Sequence, residues 1–255
     1  MEQQQLQKIF STFDGSVDFS AFPFNVPAIK NLKEITFRTQ VTFFVGENGS
    51  GKSTLLEAIA AYTGFGPEGG SKNINFTTID ESSNGAMKKL AQNLRFSWSQ
   101  KPKDGYFFRA ESFYNLATKI DDIGMGILAS YGNKSLHKQS HGESFLSLFQ
   151  NRIGKGGFFI FDEPEAALSP QRQLALLSIM HELCKEESLT QFIIATHSPI
   201  ILAYPGSTIY SFDTGNIQKI QYEDTAHYQL TKSFLDNRES YFAKLFCNEK
   251  FEKDA

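Results

Sequence analysis

The stretch Gly46-Glu47-Asn48-Gly49-Ser50-Gly51-Lys52-Ser53-Thr54 fits the pattern G-x-x-x-x-G-K-[ST] in full. Glycines at this spacing let the backbone wrap a polyphosphate with its amides pointing inward. A helix beginning near Lys52 aims its positive end at the same charge. Lys52 is placed to reach the β- and γ-phosphates, and the Ser53 hydroxyl to bind Mg²⁺. The alternative is a chance glycine-rich turn, and the setting argues against it. Val41-Thr42-Phe43-Phe44-Val45 before the loop reads as a buried strand, and Ser53 to Tyr62 after it as a helix with Leu55, Leu56, Ile59 and Ala60 on one side.

A second chemical group stands much later in the chain. Phe158-Phe159-Ile160-Phe161-Asp162-Glu163 is four apolar residues followed by two acids. A strand of this kind delivers Asp162 beside a metal, where it holds Mg²⁺ through its water shell. Glu163, one residue further on, is placed to orient or deprotonate an attacking water. An acidic loop after a strand is the bland reading; the phosphate loop upstream requires such a carboxylate on a neighbouring strand.

These residues need a parallel sheet beneath them. Val41–Val45, Phe158–Phe161 and Gln191–Ala195 are the expected buried strands. Further strands are expected over Val17–Phe24, Ile35–Phe37, Leu94–Ser99 and Tyr106–Phe108, with Lys101 to Gly105 as a turn. Helices are expected over Met87–Leu94, from Glu111 to about Ile127, over Glu143–Arg152, from Ser169-Pro170 onward with Leu176, Ile179, Met180 and Leu183 at helical spacing, and over Thr231–Phe246. Gly64–Ser71 and Lys134–Ser140 read as loops. Asp213-Thr214-Gly215-Asn216 reads as the turn of a hairpin.

With 255 residues the chain has room for one large α/β domain, and its 40% hydrophobic and 21% charged residues are ordinary for a globular protein. A net charge of −3 excludes coating nucleic acid by bulk charge but leaves room for a local basic groove. The 25 Phe residues are expected in the core or on a dimer surface. Cys184 and Cys247 form no C-x-x-C pair, so a zinc site is not expected, and two lone thiols point to a reducing compartment. The first residues lack the charge and apolar run of a signal peptide. No apolar run approaches the roughly 20 residues of a membrane span. The expected setting is cytoplasmic, without membrane insertion.

Three further stretches narrow the family. Ser140-His141-Gly142-Glu143-Ser144 precedes the acidic strand by about a helix and a turn, Ala167-Leu168-Ser169 follows Asp162-Glu163-Pro164-Glu165, and Thr196-His197-Ser198 follows the third buried strand. Together they resemble the signature motif, D-loop and switch histidine of the ATP-binding-cassette superfamily. Within it the chain is similar, from about Phe22 to Phe246, to small stand-alone bacterial ATPases in which the catalytic domain is the protein.

The resemblance implies a P-loop NTPase fold. A mostly parallel core sheet is flanked by helices, with an N-terminal antiparallel β subdomain and a small helical lobe at about 112–150 inside one domain over 1–255. It implies ATP and Mg²⁺ as ligands and hydrolysis to ADP and phosphate in a head-to-tail homodimer. Ser140, the amide of Gly142 and Glu143 of one copy would then face the γ-phosphate held by the other, with His197 contacting the same phosphate.

Ser140 and Glu143 also satisfy the capping-box spacing S-x-x-E, which by itself only starts a helix. The chain departs from the family where a glutamine is expected after a strand: Phe107-Phe108-Arg109-Ala110-Glu111 fills that slot. Glu111 is either a substitute metal or water ligand, or the first-turn acid of a helix. Phe22 and Phe24 are candidates for an adenine-stacking ring, with a core role favoured for both. Partner readings stay open among a switch or mechanoenzyme acting on nucleic acid or a soluble protein, the ATPase subunit of a membrane transporter, and one member of a toxin or defence pair. The short space between Glu111 and Ser140 counts against a long coiled-coil arm and against a membrane dock.

Overall fold

The computed structural model of the protein describes residues 4–71, 81–111, 153–185 and 188–246. The expected lobe at 112–150, the helix and loop expectations within it, the helix at 143–152, the signature residues Ser140, Gly142 and Glu143, and Cys247 lie outside the described residues.

Two sheets organise what is described. β1 (Leu6–Ser11) lies antiparallel between β2 (Glu34–Thr36) and β4 (Leu94–Trp98). The larger sheet runs β5 (Gly105–Arg109), β6 (Phe158–Asp162), β7 (Gln191–Ala195), β3 (Val41–Val45), β8 (Thr208–Ser211) and β9 (Gln218–Ile220). It is parallel except for β9, which returns antiparallel beside β8. The central strands are buried on both faces, and this is why they read as unbroken apolar runs.

Alternate residues feed two cores. Phe43, Phe159, Phe161, Phe192 and Ile194 meet Leu176 and Met180 of α4 (Pro170–Leu183) and Ile201 and Leu202 of α5 (Pro199–Leu202) on one face. Phe44, Phe158, Ile160 and Ile193 meet Leu55, Leu56 and Ile59 of α2 (Lys52–Thr63) on the other. That second core also takes in Leu6, Ile9 and Ile35 of the antiparallel sheet, so α2 shares one apolar layer with both sheets. The short α1 (Pro27–Lys30) and the longer α3 (Glu81–Gln92) complete this side.

Several expectations are corrected. No strand forms over Val17–Phe24. Asp14 and Asp18 instead accept hydrogen bonds from the amides and hydroxyls of Ser16 and Ser20, giving tight turns that compete with extended backbone. The first strand lies earlier, at β1. β4 and β5 are the expected strands, but they enter different sheets. β7 lies between β3 and β6, so the strand of the acidic pair is one removed from that of the phosphate loop. The C-terminal helix begins earlier than expected and is broken at Asn237 into α6 (Ala226–Asp236) and α7 (Arg238–Leu245). Phe24 is in the core, whereas Phe22 is 56% exposed. Ser169 sits at the start of α4 with Pro170 following, though its hydroxyl makes no capping bond.

Candidate functional site

Those of the sequence-predicted site residues that are described converge at the carboxyl ends of the parallel strands, where open α/β sheets carry their ligands. The loop between β3 and α2 has Gly46, Gly49 and Gly51 at positive φ. Gly46 and Gly51 are the tight positions. A Cβ on Gly46 would meet Ser50 Oγ at 2.9 Å and Asp213 Oδ1 at 3.1 Å, and one on Gly51 would meet Val26 Cγ1 at 2.8 Å. Asp213, after β8, braces the loop by accepting from the Glu47 amide at 2.8 Å. Lys52 is buried, and its ammonium donates to the carbonyls of Gly46 at 2.6 Å and Glu47 at 3.0 Å.

The metal-binding candidates meet although β7 lies between their strands. Ser53 Oγ donates to Asp162 Oδ1 at 2.9 Å. Burial is the main cause that lifts the Asp162 carboxyl to about 6, opposed by the Arg109 guanidinium and the Ser53 hydroxyl. Glu163 follows in a left-handed conformation, φ 53°, with its amide donating to Ala195 O at 2.9 Å. Its Oε1 lies 3.4 Å from His197 Nε2. A cavity of about 410 Å³ opens among Ser53, Arg109, Glu111, Asp162 and Glu163. A larger groove of about 960 Å³, lined by Gln7, Lys8, Arg38 and Gln40, lies by the opposite end of β3, away from the phosphate loop.

A hard oxygen pair beside a glycine cradle fits a Mg²⁺–polyphosphate ligand. Mg²⁺ commonly takes one or two protein oxygens and completes its shell from phosphates and water. No group of three His, Cys, Asp or Glu residues is arranged to hold a metal alone among the described residues. The Ser50 hydroxyl, buried at the loop without a hydrogen-bond partner, is a further donor within the cradle.

The AAA domain family matches this chain over residues 22–191, from before the phosphate loop to the start of β7. The chain belongs to that family. It is a P-loop ATPase of the ATP-binding-cassette type. Curated relatives agree in kind. A xylose import ATP-binding protein of Moorella thermoacetica is 22% identical over 78% of this chain. The match spans 43% of that relative's length, less than half of it. A putative ABC transporter ATP-binding protein of Methanothermobacter marburgensis is 26% identical over 77% of this chain and 74% of its own. Among solved structures, the SMC head domain from Thermotoga maritima overlaps 86% of this chain and 100% of its own at 16% identity, with a TM-score of 0.44. The family match carries the membership and the relatives carry the cassette type; this partial overlap carries neither.

In this ATPase, the slot where the family glutamine is expected holds Arg109 at the end of β5. Its guanidinium lies 3.1 Å from Glu57, 3.5 Å from Glu111 and 3.8 Å from Asp162. Glu111 thus lines the cavity with an 87% exposed side chain directed to Arg109.

Three side chains to which the sequence assigns no part in the site join it in the fold. The Glu165 carboxylate accepts from Thr196 Oγ1 at 2.8 Å and from the His197 amide at 2.5 Å, tying the turn after β6 to the loop after β7. Burial is the main cause that raises its carboxyl above the ordinary value. Asp213 braces the phosphate loop, as above. His227, in the first turn of α6, places Nε2 2.7 Å from His197 Nδ1. Its placement depends on a docking contact 30 residues along the chain, and no local pattern marks it.

Proposed function

We propose that the chain hydrolyses Mg²⁺-bound ATP within a head-to-tail homodimer. The observation that carries the reading is the meeting of two pairs at one end of the sheet: Ser53 with Asp162, and Glu163 with His197. Lys52 and the loop amides hold the phosphates; Ser53 and Asp162 hold the metal, which when bound neutralises phosphate charge. Glu163 orients water and accepts its proton. His197 Nε2, buried and without a hydrogen-bond partner, is available to donate to the γ-phosphate. Ser140, Gly142 and Glu143 of the second copy close over that phosphate. The side chain of Glu163 is 43% exposed, which is consistent with a site that a second copy covers.

The test is Glu163→Gln with and without ATP and Mg²⁺. We expect retained ATP binding, turnover reduced about 10²–10⁴-fold, and a dimer on size exclusion only with ATP and Mg²⁺. Wild-type turnover, or a monomer at every concentration, would overturn the assignment.

Beyond hydrolysis, the reading is of a switch or mechanoenzyme acting on nucleic acid or a soluble protein. DNA binding that weakens with salt is the corresponding observation. A second reading, an ATPase subunit of a transporter, is favoured by the names of the relatives, several of which are transporter ATP-binding proteins. No helix among the described residues is long and apolar enough to cross a membrane; co-purification with a membrane protein is the observation that would favour this reading.

A further inference from the structure

We propose that His227 is a positioning residue that fixes His197 in the tautomer able to donate from Nε2. The inference rests on the reading of Glu163 and His197 as the hydrolytic pair.

Two neutral imidazoles joined nitrogen to nitrogen share one hydrogen, so His197 and His227 have two arrangements. In the first, His227 Nε2–H donates to a bare His197 Nδ1, and His197 carries its hydrogen on Nε2. In the second, His197 Nδ1–H donates, and its Nε2 is bare. The surroundings choose between them. His197 Nε2 lies 3.4 Å from Glu163 Oε1. A bare nitrogen there sets a lone pair against a carboxylate and has nothing to donate to a phosphate. An N–H there meets opposite charge and points a donor into the site.

The neutral form of His227 is favoured where it sits. Burial is the main cause that pushes its imidazole below the ordinary value, followed by His197, while Asp213 and Glu47 oppose and Lys52 assists.

The helix that carries His227 is tied down. Thr225 is fully buried and caps α6, with its hydroxyl accepting from the Tyr228 amide and donating to Tyr222 O at 2.7 Å. Tyr222 Oη in turn donates to Pro199 O at 3.0 Å, at the start of α5 directly after the loop that carries His197. The rings of His197 and His227 meet edge to face, with centroids 4.7 Å apart. The C-terminal segment is therefore held against the loop whose histidine it orients.

The experiment compares the full-length wild type with His227→Leu and His227→Gln. Gln can present an N–H near the position of His Nε2, whereas Leu keeps bulk and donates nothing. Nitrogen-15 NMR of the nucleotide-free wild type should show His197 as the Nε2–H tautomer, a readout that needs no hydrolysis. His227→Leu should keep its ATP affinity and lower kcat about 10–100-fold, taking the loss at metal-ligating histidines deprived of their orienting partner as the scale. His227→Gln should recover most of that loss.

An Nδ1–H form of His197 in the wild type would overturn the proposal, as would unchanged kcat in His227→Leu. An equal loss in both variants, with His197 still in the Nε2–H form, would also overturn it by reducing His227 to packing. If the wild type lacks ATPase activity, the hydrolytic reading fails, and the tautomer measurement still judges the His227 contact by itself.

Discussion

Asp162 is in conflict with its own surroundings when no metal is present. Its carboxyl is lifted from 3.8 to about 6, chiefly by burial. Between those values the folded chain keeps a proton that the unfolded chain has released. The contribution of this group to stability therefore falls as pH rises from 3.8 to about 6 and stays level above. Asp162→Asn removes the buried charge and keeps an acceptor for Ser53. In calorimetry at neutral pH without nucleotide, the variant should melt at a higher temperature than wild type. Adding ATP and Mg²⁺ should then raise the wild-type midpoint and leave the variant's almost unmoved. A wild type that melts higher than Asp162→Asn without ligand would contradict this account. Stability and function thus oppose one another at a single side chain, as is common where a site holds charge for its ligand.

At the level of elements, Glu163 and His197 hang from β6 and from β7, and one side chain couples the two turns. The turn after β6 carries Glu165, whose carboxylate receives both a hydroxyl and an amide from the loop after β7. Glu165→Ala leaves two donors without that partner, at a cost of about 1–3 kcal/mol for each that stays buried. His197 is then no longer held opposite Glu163. The expected outcome is a lower melting temperature and a fall in kcat that exceeds any change in ATP affinity. Unchanged kcat in a folded Glu165→Ala protein would show that the clamp does not serve the site. The turns over residues 14–20 teach a related lesson. Apolar residues between Val17 and Phe24 imitate a strand, but Asp-x-Ser spacing offers the backbone nearby partners, and the local bonds prevail.

For the molecule as a whole, the question is whether one copy suffices. The described residues supply the phosphate loop, the acidic pair and both histidines, while the face of Glu163 stays partly open to solvent. If a second copy completes the site, ATP turnover per chain should rise with protein concentration and level off as dimers fill. A rate per chain that is flat from nanomolar to high micromolar concentration, in protein shown to be monomeric, would indicate self-sufficient sites.

Much of this was already present in residue order. Continuous apolar runs ending in Gly46, in Asp162 and in Thr196 announced three buried strands with chemistry at their carboxyl ends, since both the runs and the motifs are local. The hairpin of β8 and β9 was legible for the same reason, its turn residues standing between its strands. Strand order was not legible, because a parallel neighbour is reached through a crossover and nothing in the strand itself names it. The place of β7 between β3 and β6 is therefore visible only in the fold. Nor could any local pattern announce Glu165, Asp213 or His227. Each acts through a partner brought near only when separate elements pack together, and that proximity exists only in the folded chain.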